Sequence, residues 1–209
     1  MFPSCVDCKQ IADPLATCET CRKPMCDECA TAHHELCPEC RPAAAPDPTY
    51  RYALTRVWDL DKPVVAWVCL NPSTATADTD DPTVRKIRGF SERWGFGAFV
   101  LVNLFPLRAT SPKDLFAVTP RQRMGPCSFL NSKSIEGAFL DARDVVFAWG
   151  ANGFHPQAHV HKLGLLHGLE KVRPAGRRFW HLGLTRDGEP RHPGRIGYDT
   201  ERQPWAWDG

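Results

Sequence analysis

Eight of the chain's ten cysteines stand between residues 5 and 40 as four Cys-x-x-Cys pairs: Cys5 and Cys8, Cys18 and Cys21, Cys26 and Cys29, Cys37 and Cys40. That spacing brings two thiolates onto one metal, and four thiolates close a tetrahedral zinc site with no position left for a substrate. The pairs therefore predict two structural zinc ions and no catalytic metal. A segment of about forty residues buries too little apolar surface to fold unaided, so metal binding and folding are expected to be one event. If the pairs alternate, Cys5, Cys8, Cys26 and Cys29 take one ion and Cys18, Cys21, Cys37 and Cys40 the other. His33 and His34 are candidate substitutes for a member of the last pair.

The spacing resembles B-box and related cross-brace zinc fingers. Residues 1–49 carry a net charge of −4, which leaves +6 for the remainder, and seven arginines fall between Arg173 and Arg202. The acidic module argues for a protein partner rather than DNA as its own ligand, whereas a basic C-terminal face suits a polyanion. Dense thiols in metal spacing fit a reducing compartment. No run approaches the ~18 apolar residues of a membrane span, and the N-terminus lacks a signal peptide's apolar core. These features predict a cytoplasmic chain.

Arg41 to Pro48 (RPAAAPDP) reads as a semi-rigid spacer, which divides the chain into a module at 1–44 and a domain at 45–209. After it, Tyr50 to Trp58 has the alternation of a strand. Val64 to Leu70 (VVAWVCL), Phe99 to Leu104 (FVLVNL), Val145 to Trp149 (VVFAW) and Arg178 to Leu182 (RFWHL) read as buried strands. Asp81-Pro82 predicts a helix cap, with Val84, Ile87, Phe90 and Trp94 as its apolar stripe, and further helices are expected around 128–142 and 157–170. Strands alternating with helices predict an α/β domain, a four-stranded parallel sheet with helices on both faces and a ligand outside the C-terminal strand ends.

Those ends carry Asn71-Pro72-Ser73-Thr74, Asn103-Leu104-Phe105-Pro106, Trp149-Gly150-Ala151-Asn152 and Arg191-His192-Pro193-Gly194. Taken singly, three of them have a plain explanation: an Asn-Pro turn for the first, a strand-end cap for the second, an ordinary loop histidine for the last. Asp80 and Asp81 suggest a magnesium site less well than a helix cap, and His155, His159 and His161 read as solvated histidines. Trp205 and Trp207 are expected to pin the C-terminus, and Cys69 and Cys127 to be unpaired buried thiols.

In order and spacing the four segments resemble the uracil-DNA glycosylase superfamily, which presents an Asp-Pro or Asn-Pro loop first and a His-Pro loop last. AFVLVNLFPLRATSP is similar to that family's strand ending in a base-reading Asn, and VVFAWGANG to its strand ending in Trp-Gly. The chain is also similar, over residues 50 to 193, to a bacterial and phage family known only as a domain of unknown function. The resemblance implies a monofunctional DNA glycosylase that excises a modified or damaged base, in repair or in defence against phage. It implies Asn71 and His192 as catalytic residues, positioning water and stabilising the departing base. Asn103 would read the base with Pro72 and Ser73 beside it, Phe105 or Phe96 would stack on it, and Arg186, Arg191 and Arg195 would hold DNA phosphates. Two other readings fit the same residues: an enzyme acting on free nucleotides or bases, and a non-enzymatic adaptor for nucleic acid or protein.

Overall fold

The computed structural model describes residues 47–125, 128–171 and 178–205. The four cysteine pairs, His33, His34, most of the spacer, Cys127 and Trp207 lie outside the described residues, and the two-zinc expectation lies there with them.

The domain runs β1 (Ala53–Val57), β2 (Val64–Cys69), α1 (Pro82–Arg93), β3 (Ala98–Asn103), α2 (Pro112–Ala117), α3 (Pro120–Met124), α4 (Ser128–Asp141), β4 (Asp144–Phe147), α5 (Pro156–Lys171), β5 (Arg178–His181) and β6 (Gln203–Pro204). Short 3-10 turns occupy Ala151–Phe154 and Pro193–Arg195. The strands form one sheet in the order β1-β3-β2-β4-β5-β6.

The apolar run of β2 is explained by its two buried faces. Val65, Trp67 and Cys69 meet Val84, Ile87 and Phe90 of α1, while Ala66 and Val68 meet Ile135, Ala138 and Phe139 of α4 and Ala158 of α5. A strand covered on both sides has no reason to alternate apolar with polar. Each fully buried side chain of this size contributes roughly 1.5–3 kcal/mol, so this strand and its neighbours form the centre of the core.

Helix α1 begins as its sequence predicts. The Asp81 carboxylate accepts from the Val84 N–H at 2.9 Å, and Pro82 fills the first helical position, where no N–H is needed. At its other end Trp94 stacks on Trp67 with ring centroids 5.6 Å apart.

The expectation of a four-stranded sheet is corrected to a mixed sheet of six. The inner strands β3, β2, β4 and β5 are parallel, and β1 and β6 pair antiparallel on the two edges. The physical reason lies in the connections. Trp58–Pro63 is too short to cross over and start a parallel neighbour, which takes a dozen residues or more. The chain therefore reverses beneath β3, where the Trp58 and Asp59 amides donate to the Gly97 carbonyl. Strand β6 is two residues long and ends in Pro204, a composition that suits an edge.

At the N-terminal end of the inner strands, Asp144 is fully buried and accepts from Arg178 Nε at 3.0 Å and from an Arg202 terminal nitrogen at 2.9 Å. Two of the C-terminal arginines thus clamp strands together. They stand at the end of the sheet away from the polar loops and are not part of a basic face over those loops. No helix of the described residues is long and apolar enough to cross a membrane.

Candidate functional site

The C-terminal ends of β2, β3 and β4, together with the loop after β5, enclose a cavity of about 590 Å³. All four polar segments read from the sequence reach it. Asn71 and Ser73 come from the first, Asn103 from the second, Trp149 to Asn152 from the third, and Arg191, His192 and Arg195 from the last.

Asn103 is the final residue of β3 and is 0 % exposed. Neither its Nδ2 nor its Oδ1 has a hydrogen-bond partner. The main chain around it is well held, because the Asn131 side-chain amide donates at 3.1 Å to the carbonyls of both Asn103 and Leu104. Burying an unpaired donor or acceptor costs about 1–3 kcal/mol each. Asn103 is one of the residues that line the cavity, so this cost is borne at the cavity wall.

Asn71 is oriented by the opposite means. Its Nδ2 donates to the Pro72 carbonyl at 2.8 Å and to the Ala109 carbonyl at 2.7 Å, so the amide protons are committed and the carbonyl oxygen is the atom that can face a ligand. Pro72 is buried and does not line the cavity; its own carbonyl also accepts from the Ala109 N–H. Ser73 lines the cavity, and its backbone carbonyl is held by Arg108 at 3.1 Å.

His192 stands at the mouth. Its Nδ1 accepts from the Gly194 N–H at 3.2 Å, which places the ring proton of the neutral form on Nε2. Desolvation holds its pKa below the ordinary histidine value, with the negative charge of Asp81 acting in the other direction. The neutral ring is thus an N–H donor on its outer nitrogen at pH 7. Gly150 makes its seat: this residue has φ 76°, and a Cβ there would meet the His192 Cβ at 3.1 Å. Only glycine combines that backbone with that clearance.

Two further groups on the cavity wall were not assigned to it by the sequence pattern: Arg51 carried no signal, and Asp81 read as a helix cap. Arg51 is only 7 % exposed, donates to the Ala75 carbonyl at 2.8 Å, and leaves its Nε without a partner. Burial, and next to it the charge of Arg108, pull its pKa to about 10, so it remains a cation at neutral pH. Asp81, besides capping α1, accepts from the Ala75 N–H at 3.3 Å and faces the same cavity. Cys69 lies on the floor beside Asn103, its partner in the β2–β3 register. Burial pushes the Cys69 thiol up to about 12, which makes it a neutral wall and not a nucleophile.

Other expectations are redirected. Phe105 and Phe96 are both core residues and do not line the cavity. Phe105 sits edge-on to Phe116 and His161, and Phe96 lies beneath the guanidinium groups of Arg143 and Arg202. Neither offers a free face for stacking. Arg191 and Arg195 reach the rim, whereas the Arg186 side chain is 95 % exposed on the turn beyond it. Asp80 pairs with Arg56 at 2.9 Å, which leaves the helix cap as the role of Asp81. His155 stacks on Phe116 at 3.7 Å and is not solvated on that face. Among the described residues no group of three or more His, Cys, Asp or Glu could hold a metal. The Trp205 N–H donates to Phe179, and its ring packs on Phe147 and Trp149, which pins this end of the domain as expected.

No curated protein and no solved structure matches the chain. A family described as a protein of unknown function (DUF1643) matches residues 51–194. That span opens on Arg51, closes just past His192, and holds every polar side chain of the cavity except Arg195, so the chain belongs to this family.

Proposed function

We propose that the cavity receives a nucleobase turned out of DNA and that the protein hydrolyses its N-glycosidic bond. The observation that carries this reading is the Asn103 amide, fully buried on the cavity wall with both its donor and its acceptor unpaired. An amide in that state complements the donor and acceptor edge of a base, which must leave the stack to be reached. The cavity volume lies in the range of small-ligand sites and exceeds what a bare pyrimidine fills, which favours a base enlarged by modification or damage.

In the proposed reaction the bond from the sugar C1′ to the base nitrogen breaks, and water adds at C1′. The bonding electrons leave with the base. Nε2–H of His192 donates a hydrogen bond to the charge developing there. The Asn71 carbonyl oxygen accepts from the attacking water and orients it; an amide takes no proton, so the water proton passes to the departing base or to solvent. Stabilisation of the leaving group thus supplies most of the effect. With no lysine among the described residues that line the cavity, the product is an abasic site in an intact strand. Arg191 and Arg195 at the rim would hold flanking phosphates.

We propose in addition that the eight N-terminal cysteines bind two structural zinc ions and that this module contacts a protein partner or helps to place the DNA. Elemental analysis of the full chain, expected to give two zinc per molecule, checks the first part.

The function is tested by incubating the full-length protein with duplexes and single strands that contain uracil, hydroxymethylated or glucosylated cytosine, or hypermodified thymine. Free base is identified by mass and abasic sites by alkali cleavage. Released base that disappears with Asn71→Ala and with Asn103→Ala is the expected result. Turnover of free nucleotides without any DNA dependence would place the activity on small molecules. Equal binding of every strand with no released base would leave an adaptor.

A further inference from the structure

We infer that Glu189 and Lys162 are positioning residues for His192, although neither lines the cavity. The inference rests on reading His192 as the group that meets the departing base.

Glu189 is 3 % exposed and Lys162 8 %, and both carboxylate oxygens of Glu189 are engaged. Oε1 accepts from the Lys162 ammonium of α5, and Oε2 accepts from the Trp149 indole N–H at 2.6 Å. The loop that carries His192 is therefore fastened to a helix on one side and to the end of β4 on the other.

The fastening is transmitted over three residues. The Pro190 carbonyl accepts from the Gly150 N–H at 2.8 Å, Arg191 N–H donates to the Gly183 carbonyl at 2.9 Å, and His192 then rests on Gly150. Within the loop, the Thr185 N–H donates to the Glu189 carbonyl at 2.8 Å, and the Glu189 N–H donates to Thr185 Oγ1 at 3.1 Å. Gly153 leaves room for the arrangement, since a Cβ there would run into the Trp149 ring and lie 2.8 Å from Glu189 Oε2. Trp149 in turn lines the cavity, so a single buried carboxylate fixes both the wall and the donor beside it.

A buried ion pair is weak evidence for stability, because desolvation offsets most of its attraction. What this pair secures is geometry. Loss of it should let the loop shift while the sheet persists, and a misplaced donor costs catalysis roughly tenfold to a hundredfold.

The test uses full-length Glu189→Gln and Lys162→Met, with their double variant, whose pair is neutral and near in shape, in case the single changes prevent folding. Long-range nitrogen–proton NMR of the His192 ring reads its tautomer and titration midpoint with no substrate present. In folded variants we expect the Nδ1 signal to lose its hydrogen-bonded, unprotonated character and the midpoint to move up towards that of a free histidine. With a cleavable duplex, kcat should fall with KM little changed. Unaltered His192 signals in a folded variant would overturn the inference and leave the pair a simple strut. Shifted signals in a protein that cleaves nothing would keep the inference and discard the excision reading.

Discussion

Asn103 holds a contradiction that a stability measurement can expose. Its side chain is buried without partners, so the ligand-free fold bears the cost of an empty reader. Asn103→Leu removes both unpaired atoms while keeping the branched side-chain skeleton, beside an open cavity. It should raise the free energy of unfolding by about 1–2 kcal/mol in denaturant unfolding while abolishing ligand binding. A loss of stability instead would mean that the amide has partners in solution. His192 gives a second prediction. Its pKa lies below the ordinary value, so the ring is neutral at pH 7 and protonates at Nδ1 as the pH falls through that lowered value. Protonation sets two donors against each other at Gly194, breaks the hydrogen bond there, and should lower kcat/KM on the acid side. The same group makes folding stability fall as pH drops below the unfolded histidine value near 6.5, because the unfolded chain takes the proton first. A rate profile with no descent on the acid side would remove His192 from the mechanism.

Among the elements, helix α1 couples folding to the site through one residue. Asp81 caps the helix at Val84, holds the Ala75 amide and faces the cavity. Asp81→Ala should cost about 1–2 kcal/mol as a lost cap, seen as a lower thermal midpoint. It should also remove the opposing charge beside Arg51 and lower the His192 titration midpoint further, since Asp81 is what raises it. Asp81→Asn retains capping ability and separates the two effects: stability should largely return while the histidine midpoint stays low.

For the whole molecule, charge decides how a polyanion would be held. The chain beyond residue 49 carries +6, but Arg178 and Arg202 are taken up by Asp144 at the far end of the sheet. Arg191 and Arg195 remain at the rim. Replacing either with Ala should weaken binding to all DNA sequences alike and reduce the slope of log affinity against log salt by about 1. An Arg186→Ala change, on the outer turn, tests how far along the strand the contact extends. An unchanged slope in the rim variants would put the phosphates elsewhere.

Local pattern was enough to read the two-faced burial of β2 to β4, the Asp81-Pro82 start of α1 and the gathering of four polar loops at one sheet end, because each follows from side-chain period, cap chemistry or the handed geometry of strand–helix units. The antiparallel edges, the burial of Phe105 and Phe96, and the use of Arg178 and Arg202 as clamps were decided by tertiary structure. An aromatic or an arginine looks the same in sequence whether it faces a cavity or a core. The Lys162–Glu189–Trp149 contact joins a helix, a loop and a strand end far apart along the chain, and only the packed fold gives those three side chains a common place.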